Sequence, residues 1–148
     1  MALGGGDRGA FLDVACVPNS TLKSTIDTLV AAGTQVTGTL VKLTYSDDYE
    51  VAGCSAGDIP DGKIMAYEKT ETSYRLLVRL FSYVDLAGNR HTPVGIANFP
   101  YDGTGLGLKD SVLVYANNSR KVKDGTSTGW GAVIAMDTPA SGYCDVLF

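Results

Sequence analysis

The sequence predicts an all-β protein, a small barrel made of short strands, and three observations support this prediction. From Thr34 onward, short runs of β-branched and aromatic residues alternate with segments rich in Gly, Asn, Asp and Pro. The 18 glycines suit many tight turns between such strands. Hydrophobic residues make up 45% of the 148 residues, enough for the core of one domain. Seven to nine strands in roughly 115 residues fit a small barrel or sandwich.

The chain begins with a segment that predicts a flexible N-terminal arm. Residues 1–10, MALGGGDRGA, are rich in glycine and offer almost nothing to bury. Residues 11–17, FLDVACV, are apolar enough to form either a strand of the body or an arm that a partner orders. We therefore divide the chain into an arm over residues 1–18 and a single β-rich domain over residues 19–148. The expected partner contacts of the arm are its apolar side chains, Phe11, Leu12, Val14 and Val17.

At most one short helix is expected, within the segment PNSTLKSTIDTLVAAG. Its apolar residues follow the spacing of one helical face: Leu22, Ile26, Leu29 and Val30. Ser20 is a candidate for the cap at its start and Gly33 for the residue that ends it. Several β-branched residues weaken this helix, so a strand followed by a loop remains the alternative.

The strand candidates that follow are short and are separated by turn sequences. They are TGTLVKLTY, YEVAG, GKIMAYEK, YRLLVRLFSYVDL, VGIANF, SVLVYA, RKVKD, GAVIAMD and YCDVLF. The turn segments between them include SDD, AGDIPDG, LAGNRHTP, PYDGTGLG, NNS, DGTSTG and TPASG.

Two of these stretches, residues 43–68 and 114–137, resemble each other. Each begins with an apolar residue that stands eight positions before a valine. A loop rich in Gly, Ser and Thr then leads to a glycine, Gly62 or Gly131, that opens a strand ending in an acidic residue. The pattern predicts a repeated strand–turn–strand–loop–strand unit. Chance similarity between two turn-rich β segments is the alternative.

Composition and charge exclude several classes of function. The net charge of −4 and the pI of about 4.8 argue against a nucleic-acid partner, which usually requires a basic face. No apolar run approaches the ~18 residues of a membrane span, so no membrane association is expected. The N-terminal residues lack the pattern of a signal peptide, and synthesis in a cytoplasm is expected.

The sequence offers no evident catalytic or metal site. His91 is the single histidine and lies in a Gly/Asn loop, where a solvated role is the simplest interpretation. Cys16, Cys54 and Cys144 are widely spaced and form no close ligand pair. We therefore expect a protein that is not an enzyme and that needs no metal or cofactor.

The end of the chain, YCDVLF, reads as a last strand whose side chains alternate between two faces. One face carries Cys144, Val146 and Phe148, and the other carries the residues between them. Trp130 lies between two glycines and is either a core residue or an anchor for a partner. The candidate self-association surface consists of Trp130, Val146, Leu147 and Phe148.

Two long stretches resemble the capsid decoration proteins, or cement proteins, of tailed bacteriophages. They are AAGTQVTGTLVKLTYSDDYEVAGCSAGDIPDGKIMAYEK and VLVYANNSRKVKDGTSTGWGAVIAMDTPASGYCDVLF. The shared features are a G-x-LV-x-L strand, a loop rich in small polar residues, a G-x-(I/V)-(I/M)-A strand and a terminal DVLF. The resemblance covers roughly residues 31–148.

This resemblance implies a β-barrel or β-tulip body on the outside of an icosahedral head. It implies a structural virion protein that bridges neighbouring major capsid protein subunits, commonly as a homotrimer. It also implies that an N-terminal arm contributes to capsid contact. The competing interpretations are an oligonucleotide-binding type of barrel and another small β-sandwich binding module.

Overall fold

The computed structural model describes residues 6–102, 105–137 and 142–148, and it confirms the predicted mainly β fold. The elements of the first half are β1 (Arg8–Gly9), β2 (Leu12–Pro18), α1 (Ser20–Ala31), β3 (Leu40–Leu43), β4 (Glu50–Gly53), β5 (Gly62–Lys69) and β6 (Tyr74–Leu80). A small hairpin, β7 (Tyr83–Val84) and β8 (Arg90–His91), follows. The elements of the second half are β9 (Gly95–Pro100), β10 (Val112–Val114), β11 (Val122–Asp124), β12 (Ala132–Met136) and β13 (Tyr143–Leu147).

The first half folds into a closed barrel with the strand order β2-β4-β3-β5-β6. The pair β2–β4 is parallel and the other pairs are antiparallel. The barrel encloses its own apolar core, formed by Cys16, Leu22, Ile26, Val36, Val41, Val51, Ile64, Tyr74, Leu76 and Val78.

The second half repeats this strand arrangement, and its described residues contain no counterpart of α1. A four-stranded sheet runs in the order β1-β9-β13-β12, beside the hairpin β10–β11. Two isolated bridges, Tyr101 to Val122 in parallel and Val112 to Trp130 antiparallel, connect the hairpin to the sheet. The resulting order, β9-β11-β10-β12-β13, matches that of the first barrel. A second core fills it, including Ala97, Phe99, Val112, Val114, Val122, Val133, Cys144 and Val146.

Equivalent backbone contacts show that the two barrels are repeats of one unit. Three backbone hydrogen bonds of the first barrel have equivalents in the second. Asp61 N to Val41 O corresponds to Trp130 N to Val112 O; Thr44 N to Glu50 O corresponds to Tyr115 N to Lys121 O; Ile64 N to Thr39 O corresponds to Val133 N to Asp110 O. A register shift lies between Ile64 and Ala66 in β5, and the corresponding shift lies between Val133 and Ala135 in β12. The repeat predicted from residues 43–68 and 114–137 is thus confirmed. The equivalence also includes strands outside these two stretches, because β2 corresponds to β9 and β6 corresponds to β13.

The segment after β2 forms the predicted helix, α1, rather than a strand followed by a loop. Asn19, rather than Ser20, is the N-cap, and its side-chain oxygen accepts a hydrogen bond from the backbone N–H of Leu22. Leu22 and Ile26 are buried in the first barrel, next to the strands β2 and β4. Burial of this apolar face outweighs the modest helix propensity of the β-branched residues.

The predicted arm boundary after residue 18 requires a correction. Residues 12–18 form β2, a strand of the closed first barrel, rather than part of an arm. The physical reason is that β2 pairs with β6 over residues 12–16 and buries Cys16 and Pro18. Residues 1–5 lie outside the described residues. Arg8 and Gly9 form β1 against β9.

Candidate functional site

A buried carboxylate joins the N-terminal segment to both barrels. Asp7 Oδ1 accepts a hydrogen bond of 2.8 Å from Lys63 Nζ on β5 and one of 2.8 Å from the backbone N–H of Asn98 on β9. Its Oδ2 accepts one of 2.8 Å from Arg79 Nη1 on β6. The Asp7 side chain is only 3% exposed. A charge this deeply enclosed requires its cationic partners to remain in place.

The pKa values around Asp7 reflect two opposing effects. Burial raises the pKa of Asp7, but the hydrogen bonds from Lys63 and Asn98 and the nearby positive charges outweigh it, so the pKa lies below its ordinary value of 3.8. Burial dominates at Lys63 and lowers its pKa despite the ion pair. Lys63 Nζ donates both to Asp7 and to the carbonyl of Asn98, an arrangement that suits an ammonium group.

We call residues 6–11 the clasp, because their other contacts also connect the two barrels. Arg8 Nη2 lies 3.1 Å from Asp145 Oδ2 on β13. Gly9 adopts a φ of +118°, and a Cβ there would lie 2.5 Å from the Cα of Gly95, so the position requires glycine. The ring of Phe11 packs edge-on against Phe81 and Phe148, at centroid distances of 5.4 and 6.4 Å.

A cleft of about 330 Å³ opens beside the clasp, between the barrels. It is lined by Lys63, Arg79 and Arg120 together with Asp7 and polar groups such as Gln35 and Tyr143. The guanidinium of Arg79 is also bound by Asp13, through contacts of 2.7 and 2.9 Å. Most of this positive charge is therefore already neutralised within the chain.

The four residues predicted to contact a partner through the arm lie in different environments. Phe11 is part of the clasp and packs against the second core. Val14 packs against the first core. Leu12 is 68% exposed and Val17 is 44% exposed. Only the latter two therefore present apolar surface to a partner.

The predicted self-association surface is divided in the same way. Val146 and Phe148 belong to the second core, so their assignment to an interface is corrected: their side chains point into the folded barrel. Leu147 is 41% exposed and Trp130 is 36% exposed. The predicted alternation along YCDVLF is confirmed, with Cys144, Val146 and Phe148 inside. Asp145, on the outer face, is covered by the Arg8 ion pair.

An apolar groove lies on the outer face of the first barrel. Its centre is a cross-strand row in which Leu77 on β6 stands opposite Ala15 on β2 and Ala66 on β5. The groove has a volume of about 300 Å³ and is also lined by Tyr67 and Leu76, with the ion pair of Glu68 and Arg75 at its border. Because the alanines are short, the row leaves room for the side chain of another molecule beside Leu77.

The hairpin β7–β8 lies between the two repeats along the chain. Its turn exposes Leu86 completely, and Val94 beyond it is also exposed. His91 is exposed, as predicted, but it lies in the strand β8 rather than in a loop. Its Nε2 lies 2.7 Å from Asp85 Oδ2, and its ring stacks on Tyr83.

The described residues contain no group of three or more His, Cys, Asp or Glu side chains placed to hold a metal ion. Cys16, Cys54 and Cys144 are buried free thiols. No helix in the described ranges is long and apolar enough to cross a bilayer.

Sequence reasoning missed the residues that build these features. Asp7 and Lys63 are separated by 56 positions and Asp7 and Asn98 by 91, so no local pattern links them. Asp7 and Arg8 are the only charged residues in the glycine-rich start, which was the available signal. Leu77 lies within a run of apolar residues that conceals which of them faces outward.

Comparison with protein-family models, with curated proteins and with solved structures finds no match to this chain.

Proposed function

We propose that the protein is a structural virion component that binds the outside of an icosahedral phage head and bridges major capsid protein subunits. The proposal combines the resemblance of residues 31–148 to capsid decoration proteins with the arrangement of the two barrels. Its partners would be the major capsid protein and further copies of itself. Its location would be the capsid surface, after synthesis in the host cytoplasm.

One observation carries the proposal: each barrel presents exposed apolar side chains while a buried clasp holds the barrels together. The first barrel exposes Leu12 and Leu77, and the second exposes Tyr143 and Leu147. A bridging protein needs two contact surfaces, and a rigid connection between them lowers the entropic cost of making the second contact. The Asp7 ion cluster and the Phe11 contacts supply such a connection.

Self-association is the second part of the proposal. Trp130 and Leu147 remain candidates for a contact between copies, and a homotrimer is the assembly that the resemblance implies. A closed ring of copies on a symmetric head would multiply weak single contacts into stable decoration.

The direct test is binding of the purified protein to heads that lack it. We expect saturable binding at a fixed number of copies per head, together with greater resistance of the heads to heat or osmotic shock. Sedimentation of the free and bound protein would report its oligomeric state. Failure to bind heads, with retention on single-stranded DNA at moderate salt, would instead favour the oligonucleotide-binding alternative.

A further inference from the structure

The two barrels contain an equivalent strand edge, on β2 in the first barrel and on β9 in the second, and the two edges differ in what covers them. Pro18 on β2 and Tyr101 after β9 each form a parallel bridge to an equivalent valine of the neighbouring strand. Counting back from these bridges, Asp13 corresponds to Ile96 and Ala15 corresponds to Asn98. Each position on β2 thus has a partner position on β9 whose surroundings can be compared.

In the second barrel, the clasp covers this edge of β9. Arg8 pairs with Ile96 and Gly9 with Gly95 in an antiparallel ladder. Two positions beyond Ile96 on β9, the N–H of Asn98 donates a hydrogen bond to the Asp7 carboxylate. The clasp therefore adds a short strand to β9 and binds its outward backbone groups.

In the first barrel, the corresponding edge of β2 has no such strand. Val17 N–H donates to Tyr49 on the side of β4, and strand N–H groups alternate in direction, so the N–H groups of Asp13 and Ala15 face the same side. Among the described residues, no strand pairs with β2 on that side before Val17. Leu12, at the start of this edge, is largely exposed.

The side chains next to the two edges differ in chemistry. The second barrel offers Asp145, opposite Asn98, and this carboxylate binds Arg8 of the clasp. The equivalent residue of the first barrel is Leu77, opposite Ala15, in the apolar groove. A strand added to β2 would thus place an apolar side chain where the clasp places a cation.

We propose that the edge of β2 at Leu12 and Asp13 and the adjoining groove at Ala15, Leu77 and Ala66 bind an extended segment of the major capsid protein. The segment adds a strand by main-chain hydrogen bonds and inserts a large apolar side chain beside Leu77. This assignment of the partner rests on the proposed function. The clasp, which is the segment of this chain that pairs with the equivalent edge in the second barrel, is already bound to β9.

The test uses the full-length protein and heads that lack it, with three variants. Leu77→Arg fills the groove with a charge at a partly exposed position. Asp13→Pro removes the edge N–H, and Asp13→Ala is its matched control because both lose the Arg79 ion pair. Leu86→Arg changes an equally apolar, exposed residue that neither lines the groove nor pairs with β2. Circular dichroism and thermal melting establish that each variant is folded.

We expect Leu77→Arg to weaken head binding at least about tenfold, and Asp13→Pro to bind at least about tenfold more weakly than Asp13→Ala. Leu86→Arg should bind within about twofold of the wild type. A photoreactive residue at position 77 should cross-link to the major capsid protein, within one contiguous segment of it.

Two results would overturn the inference while leaving the proposed function intact. The first is head binding by folded Leu77→Arg that equals the wild type. The second is a cross-link from position 77 to another copy of this chain or to its own residues 1–5. Failure of the wild-type protein to bind heads would overturn both, and would be recognised because all variants would then behave alike.

Discussion

The carboxylate of Asp7 lies 2.8 Å from Nζ of Lys63, and both side chains are almost completely enclosed. The two residues come from the N-terminal segment and from a strand of the first barrel. The same carboxylate also accepts a hydrogen bond from the backbone of Asn98 in the second barrel. One acidic side chain thus connects three parts of the chain, and the segment that was expected to be an arm fixes the barrels to each other.

Replacing Asp7 by Asn should destabilise the protein strongly. The amide keeps the size of the side chain but leaves the positive charges of Lys63 and Arg79 without their buried counter-charge. Breaking a buried ion pair on one side costs about 3–5 kcal/mol. Denaturant unfolding would measure the loss, with Glu71→Gln on the exposed surface as a control expected to change stability by less than about 0.5 kcal/mol. A loss for Asp7→Asn of the same size as the control would contradict the role of Asp7.

Stability should fall in acid partly because of the same residue. The pKa of Asp7 is lower in the folded protein than its ordinary value of 3.8, so its contribution is fully present above that value. The contribution is lost as the pH falls below about 4 and Asp7 becomes protonated. The stability difference between wild type and Asp7→Asn should therefore shrink with falling pH. A difference that stays constant from neutral pH to strongly acidic pH would show that the charge of Asp7 contributes nothing.

The three cysteines should be unreactive in the native protein. Burial raises the pKa of Cys54 to about 12 and that of Cys144 to about 12, and it also raises the pKa of Cys16. Thiolate is the reactive form, and none of the three sulfur atoms is accessible to a reagent. A thiol-specific reagent at about pH 8 should label no cysteine before unfolding and all three afterwards. Rapid stoichiometric labelling of any cysteine in the folded state would contradict this burial.

The strands could be predicted from sequence because their signals are local. GKIMAYEK is a run of β-forming residues bounded by turn chemistry, and it becomes β5. The predicted strand YRLLVRLFSYVDL divides into β6, which ends at Leu80, and β7, which begins at Tyr83. The alternation in YCDVLF likewise places Val146 and Leu147 on opposite faces of the last strand, as observed, although it does not show which face is buried. Such patterns depend only on neighbours along the chain, so one sequence suffices to recognise them.

Contacts between distant residues could not be predicted in this way. FLDVACV reads equally well as a strand or as an arm, because its pairing partner β6 lies more than 50 residues further on. Asp7 in a glycine-rich segment gives no sign of the Lys63 and Arg79 that enclose it. The chain also conceals that Val146 is core and Leu77 is surface, since both lie in apolar runs and only the barrel geometry separates them.

The repeat gives a further relationship between two positions, Gly38 and Lys109. The backbone N–H of Gly38 donates to the carbonyl of Ile64, and the backbone N–H of Lys109 donates to the carbonyl of Val133. The residue after each, Thr39 or Asp110, accepts a hydrogen bond from the N–H of the same Ile64 or Val133. Both adopt a positive φ, of +89° and +74°. The first barrel uses glycine at this turn, whereas the second uses a lysine, which is strained in this conformation.

Replacing Lys109 by Gly should therefore stabilise the protein. The left-handed conformation costs a residue with a Cβ about 1–2 kcal/mol, and the greater freedom of glycine in the unfolded chain offsets part of the gain. We expect the free energy of unfolding to rise by up to about 1 kcal/mol, since Lys109 is exposed and forms no described ion pair that would be lost. The reciprocal change, Gly38→Ala, should lower it by about 1–2 kcal/mol, because the new Cβ also lies 3.2 Å from the side chain of Arg120. Urea unfolding of both variants beside the wild type would measure the two effects, and changes of the same sign would contradict the equivalence of the two turns.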